Sequence, residues 1–216
     1  MMNSLFSSFD PTSSLKQMNW MMMTSTMIIL PMNFWMKKSR WNTLKTNTTK
    51  FIKKEMLSNS KHKEIIMMAC SLFMLIMINN LMGLFPYTFT PTSHMSISMT
   101  MALPMWMMMM MYSWINFTNK MFLHLLPQNT PSMIMPMMIV IETTGLIIRP
   151  ISLSVRLMAN MIAGHLLMTL LGDMNQNMFL LTTPLKMILM SFESSISIIQ
   201  AYVFSTLITL YSSEIP

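Results

Sequence analysis

The chain has 216 residues, of which 53% are hydrophobic and only 10% charged, with a formal net charge of +7. Soluble domains carry about 25% charged residues, so the composition excludes an ordinary soluble enzyme and indicates an all-α membrane protein. One cysteine, Cys70, excludes a disulfide framework or a thiolate metal cluster, and no metal, cofactor or nucleic-acid partner is expected.

Methionine occurs 36 times, against 4 Gly, 5 Ala, 3 Val and 3 Arg. The animal mitochondrial code reads AUA as Met, so an AT-rich genome of that kind turns many would-be isoleucines into methionines. A Met-rich metal surface would need His or Cys neighbours, and "MWMMMMM" (residues 105–111) has none. The methionines read as apolar filler and the genome as mitochondrial.

In chain order, a first span is expected at residues 18–36, with neither a transit peptide nor a secretory signal before it. A basic segment follows at 37–63 and holds nine of the fourteen Lys and Arg residues. Its Trp41, Leu44, Phe51, Ile52, Met56 and Leu57 make a patchy apolar side among lysines. Two readings stay open there: a helix lying on the membrane surface, or a solvated loop that only sets topology. Upright spans are expected at 65–85 and 95–115, because ~20 apolar residues cross a ~30 Å hydrocarbon core. The connections at 86–94 and 116–132 read as loops.

Two longer apolar segments follow, 133–171 and 178–211, joined by "GDMNQN" (172–177). The first would be ~58 Å long as one helix, nearly twice the hydrocarbon thickness. A strongly tilted hairpin, bent at Pro136 or Pro150, solves that mismatch. The basic segment should stay on the inner side, which for a mitochondrion is the matrix. The N-terminus then faces the intermembrane space and the C-terminus the matrix.

The hairpin carries polar groups that hydrocarbon should reject. An arginine at mid-span costs about 2.5–3.5 kcal/mol and usually faces a partner carboxylate or a wet cavity. At 100° per residue, Arg149 lies about 20° from Arg156, and Asn160 and Glu142 about 40° from it. His165 falls about 180° away, on the opposite face. In the partner segment Lys186, Glu193, Ser197 and Gln200 share one stripe. Rows of intramembrane acids, bases and amides build proton relays. The competing readings are a structural ion pair of Glu193 with Arg156 or Lys186, and a boundary role for Arg149. His62 and His94 read as solvated loop residues, and His124 has no spacing relation to another histidine.

The run "RPISLSVRLMANMIAGHLLMTLLG" (149–172) closely resembles the signature of subunit a of the F-type ATP synthase, in its mitochondrially encoded animal form. "MNSLFSSFDP" (2–11), "NNLMGLFPYTFTPTSHMS" (79–96) and "SIIQAYVFSTLITLYSSE" (197–214) resemble other parts of that family, so the resemblance spans the chain. It implies a non-catalytic proton-channel subunit whose partners are a rotating c-ring, a peripheral stalk and other membrane-sector subunits, in the mitochondrial inner membrane. Arg156 matches the arginine that faces the c-ring carboxylates. Asn160 and Gln200 match its polar neighbours at the ring, His165 and Glu193 a pair lining the outer half-channel, and Glu142 an acid of the matrix half-channel. Lys186 matches no motif position.

Other classes fit less well. A proton-coupled secondary transporter usually shows internal repeats, and none is visible. A haem-bearing respiratory subunit needs paired histidines on its spans, and only His165 lies inside a long apolar segment. A purely structural anchor would not need Arg156, Asn160, His165, Glu193 and Gln200 in hydrocarbon.

Overall fold

A computed structural model describes residues 6, 9–12, 18–24, 39–59, 63–85, 88–126, 131–173 and 179–214. Most of the first expected span, His62 and the side chain of His124 lie outside the described residues. The regular elements are α1 (Arg40–Asn59), α2 (Lys63–Gly83), α3 (Met95–Asn116), α4 (Thr118–Leu125), α5 (Met135–Asp173) and α6 (Phe179–Glu214). Short 3-10 turns cover Met18–Thr24 and Pro91–Ser93. All regular structure among the described residues is therefore helical, as hydrocarbon demands of an open chain that must satisfy its own backbone.

Among the described residues, three helical stretches are long and apolar enough to cross a membrane: Glu64–Gly83, Met135–Gly172 and Thr182–Ser213. The 22-residue α3 is long enough at ~33 Å. Its serines, threonine, asparagine and Pro104 temper its methionine-rich apolar character. The protein is an all-α membrane protein built around two unusually long helices, α5 with 39 residues and α6 with 36.

Packing follows side-chain size. α2 packs chiefly along α6 and α3 along α5, while α5 and α6 meet each other less extensively. On α2 the buried stripe is Ile66, Ala69, Phe73, Ile76 and Asn80, at the three- and four-residue steps of one helix face. On α6 it is Ser197, Ala201, Ser205, Ile208, Thr209 and Ser212. Small residues let helix backbones approach closely where no hydrophobic force separates protein from lipid. The core cluster joins these stripes through Leu153, Leu157 and Phe204.

The buried hydroxyls satisfy themselves locally. Ser113, Ser154, Ser197, Ser205, Thr209 and Ser212 each donate to the carbonyl three residues earlier in their own helix, at 2.6–2.9 Å. A hydroxyl can make that bond without leaving the helix.

Several expectations need correction. Pro136 does not bend α5; it stands in the first turn, where a missing N–H costs nothing, so Pro150 is the interior proline. Residues 116–132 are not all loop, because α4 forms within them and places Lys120 Nζ 5.1 Å from the Phe117 ring centroid. The connection before α3 is not a solvated loop either. Phe89, Thr90, Pro91, Thr92 and Ser93 are buried, and Thr90 and Ser93 bond each other through their hydroxyls at 3.1 Å. Apolar rings and self-paired hydroxyls let this segment wedge between helices. His94 is accordingly half-buried and hydrogen-bonded, not solvated.

The basic segment is helical as α1. Met56 is fully buried and Ile52 packs on the core, while Trp41, Leu44 and Phe51 stay exposed. The Cys70 thiol reaches Met56 Sδ at 3.6 Å, joining α1 to α2.

Phe204, 2% exposed, is a keystone of this packing. Phe204→Ala should destabilise the detergent-solubilised chain by about 3–5 kcal/mol, as buried aromatic truncations do. Leu123→Ala, at a 70% exposed position, should leave the melting curve followed by circular dichroism unchanged.

Candidate functional site

The α5–α6 hairpin is in antiparallel register. Gly164 meets Glu193, Leu153 and Arg156 share a small cleft with Gln200 and Phe204, and the Arg149 guanidinium lies 4.8 Å over the Tyr211 ring. That register orders the polar residues along the hairpin. Glu193 and Gly164 lie towards the end where α2 finishes, Arg156 and Gln200 come next, then Arg149 and Tyr211. Glu142 stands beyond them, about 21 Å of helical rise from Arg156 on the side away from His165.

The contact at Gly164 is specific. A Cβ there would come 2.9 Å from Glu193 Cδ and 3.0 Å from its Oε1, closer than real Cβ atoms come. Gly164 is therefore glycine because the Glu193 carboxyl lies directly on its α-carbon. Gly83 plays the same part at the end of α2, where a Cβ would be 2.8 Å from Thr90 Cγ2 and 3.2 Å from Met161 Cε.

His165 is half-buried on the side of α5 that faces α2, near the Gly83 carbonyl. Its Nε2 is buried with no partner among the described residues, as is Glu193 Oε1. The two side chains flank one turn of α5 without bonding each other through those atoms. The register also sets Glu193 about 12 Å of rise from Arg156, and it stands about 10 Å of rise from Lys186 on its own helix. The ion-pair reading of Glu193 has no support through Oε1.

Asn79, Asn80 and Gln200 leave every side-chain nitrogen and oxygen buried without a partner, and Thr92 leaves its hydroxyl so. These amides do not bond their own helix as the hydroxyls do. Buried polar atoms are paired in more than nine cases of ten, with protein or water, so these groups require water. Asn79 and Asn80 sit in the last turn of α2, beside Gly83 and Leu84. Leu84 in turn lines a cleft of about 210 Å³ between α5 and α6, together with Asn160, Gly164, Glu193, Ser197 and Gln200. A water occupies ~30 Å³ in the liquid, so the cleft has room for several.

A second, much smaller cleft of about 10 Å³ is lined by Leu153, Arg156, Leu157, Gln200, Val203 and Phe204, at the limit for one water. Gln200 borders both spaces. Arg156 and Asn160 are exposed, which leaves the guanidinium open to a partner from beyond the described residues. Glu142 is half-buried and not gathered with the others. No three His, Cys, Asp or Glu side chains come together as a metal site among the described residues.

Asn79, Asn80, Thr92 and Gly164 join the site without having been singled out from the sequence. The adjacent asparagines inside an apolar span were a visible signal, and so was one of only four glycines standing next to His165.

This layout agrees with comparison to known proteins. The profile of the family described as "ATP synthase A chain" matches residues 16–213. The chain belongs to that family. Relatives named ATP synthase subunit a share 45% identity in Anopheles quadrimaculatus, 46% in Drosophila melanogaster and 45% in Locusta migratoria, each over the full length of both chains. Family membership thus rests on the whole chain, including the α5–α6 hairpin.

The Gly164 contact gives a test independent of activity. In a Glu193→Ala background Gly164→Ala should raise the melting temperature, because the atoms it would strike are gone and Ala is favoured over Gly within a helix by about 0.5–1 kcal/mol. With Glu193 in place the carboxyl must swing aside, and that gain should be lost or reversed.

Proposed function

We propose that this chain is the proton-translocating subunit of the membrane sector of a mitochondrial ATP synthase, set in the inner membrane beside a c-ring and a peripheral stalk. The observation that carries the reading is the α5–α6 cleft, a mostly apolar space of about 210 Å³ into which Asn160, Glu193, Ser197 and Gln200 bring polar groups, with Arg156 beside a much smaller cleft that shares Gln200.

Protons arrive from the intermembrane space through hydrated groups near Asn79, Asn80, His165 and Glu193. They pass along the cleft by way of Asn160 and Gln200 to a carboxylate of the c-ring. Once neutral, that carboxyl can turn through lipid, where its charged form would be costly. It releases the proton to the matrix side, with Glu142 as the acid on that route. The membrane potential contributes about 2.3 kcal/mol per charge per 100 mV.

Arg156 separates the two routes. Its fixed charge repels a proton moving directly past it and attracts the deprotonated carboxylate awaiting reloading. Two features support this role: Arg156 is exposed on a mostly apolar helix, and Leu153, Leu157 and Phe204 are buried beside it. Arginine suits the task because its guanidinium remains charged at any physiological pH and presents a planar fork to a carboxylate. The exposed apolar side of α1, with its lysines, fits the matrix-side surface of the bilayer.

Arg156→Ala in the assembled complex should reduce ATP-driven proton pumping to background, followed by quenching of a pH-sensitive dye in vesicles. Arg149→Gln should retain most of it. Normal pumping by Arg156→Ala would contradict the reading.

A further inference from the structure

Phe9 lies near the start of the chain, yet it touches two histidines from distant parts of the sequence. Its ring stands edge-on to His165, with centroids 6.0 Å apart and planes at 81°. Its backbone oxygen accepts a hydrogen bond from His94 Nε2 at 3.0 Å, across 85 residues of sequence. An oxygen can only accept, so that nitrogen carries the hydrogen.

His94 is itself held by rings. Trp20 and Phe89 lie against it at 5.1 and 5.3 Å between centroids, and they meet each other at 5.4 Å, nearly perpendicular. Asn19 Nδ2 donates to the Asp10 carbonyl at 3.3 Å, which ties the turn carrying Trp20 to the residue after Phe9. A continuous set of contacts therefore runs from the start of α3, through Phe9, to the imidazole on α5.

The contact has a definite chemical use. The His165 ring lies near the Gly83 carbonyl, and its Nε2 is buried without a partner among the described residues. A proton relay through such a ring needs its plane held, because a rotated imidazole presents its nitrogens elsewhere. A phenyl ring edge-on to it restricts that plane, and it takes neither nitrogen because it has no hydrogen-bonding group. Aromatic pairs prefer this T-shaped arrangement by an energy beyond simple burial.

We propose that Phe9 is a positioning residue for His165, itself anchored by His94. The inference rests on the reading of His165 as part of the proton path.

The test is ATP-driven proton pumping per assembled complex in vesicles, with complex abundance measured for each variant. Phe9→Leu keeps apolar bulk but removes the ring, and should lower pumping about two- to tenfold, the factor that an aromatic pair's preference corresponds to. Phe9→Tyr should restore it, which a role in bulk packing alone would not predict. His94→Leu should lower pumping similarly and His94→Gln, which keeps a donor, should not. Combining Phe9→Leu with His94→Leu should give little further loss if one acts through the other.

Full pumping by Phe9→Leu at normal abundance overturns the proposal, as does additive loss in the double variant. His165→Ala separates the two levels. If it abolishes pumping while Phe9→Leu does not, only the positioning role fails; if it pumps normally, the proton-path reading of His165 fails with it.

Discussion

An amide buried between membrane helices must find a partner for each polar atom, and the architecture depends on that constraint. The buried serines and Thr209 of α3, α5 and α6 bond the carbonyl one turn back. Asn79, Asn80 and Gln200 do not, and each leaves its nitrogen and oxygen without a partner among the described residues. Such groups are tolerated in an apolar interior only where water reaches them. Their positions, with those of His165 and Glu193, therefore trace where the interior is wet. Two of the close backbone approaches, at Gly83 and Gly164, lie in that same region. Small residues there bring three helices and a buried loop around one hydrated space.

The long helices give that space an end. Because α5 and α6 stay in register over their length, a single level of the hairpin can be roomy and the next closed. A cleft of about 210 Å³ and another of about 10 Å³ lie within two turns of each other. The smaller is lined by Leu153, Leu157 and Phe204 together with Arg156. Coulomb repulsion by an arginine is a weak barrier where water can flow around it and a strong one in a dry setting. Apolar packing and fixed charge thus act together at one level.

The sequence made much of this legible. Membrane class, helical content and the two long segments follow from apolar run length, and the polar stripe follows from helical spacing around Arg156. What escaped depended on contacts between segments far apart in sequence. The burial of residues 88–94 was unreadable because Thr, Pro and Ser resemble a solvated loop until their pairing is known. His94 was misread for the same reason, since its partner is the Phe9 carbonyl. Pro136 looked like a bend because spacing does not reveal which residue begins a helix. The tight fit of Gly164 on Glu193 needs the register of two antiparallel helices, which no local pattern specifies.

The central claim is that water enters the hairpin from the Glu193 end and stops before Arg156. Single cysteines at Ser197, on the cleft, and at Leu157, on the packed side, test it most directly in the assembled complex with Cys70→Ala as background. Silver ion, small and soluble, reacts with thiolates that water can reach. The account predicts rapid reaction for Ser197→Cys and protection for Leu157→Cys. Equal reaction at both positions, or an inert Ser197→Cys, would contradict it.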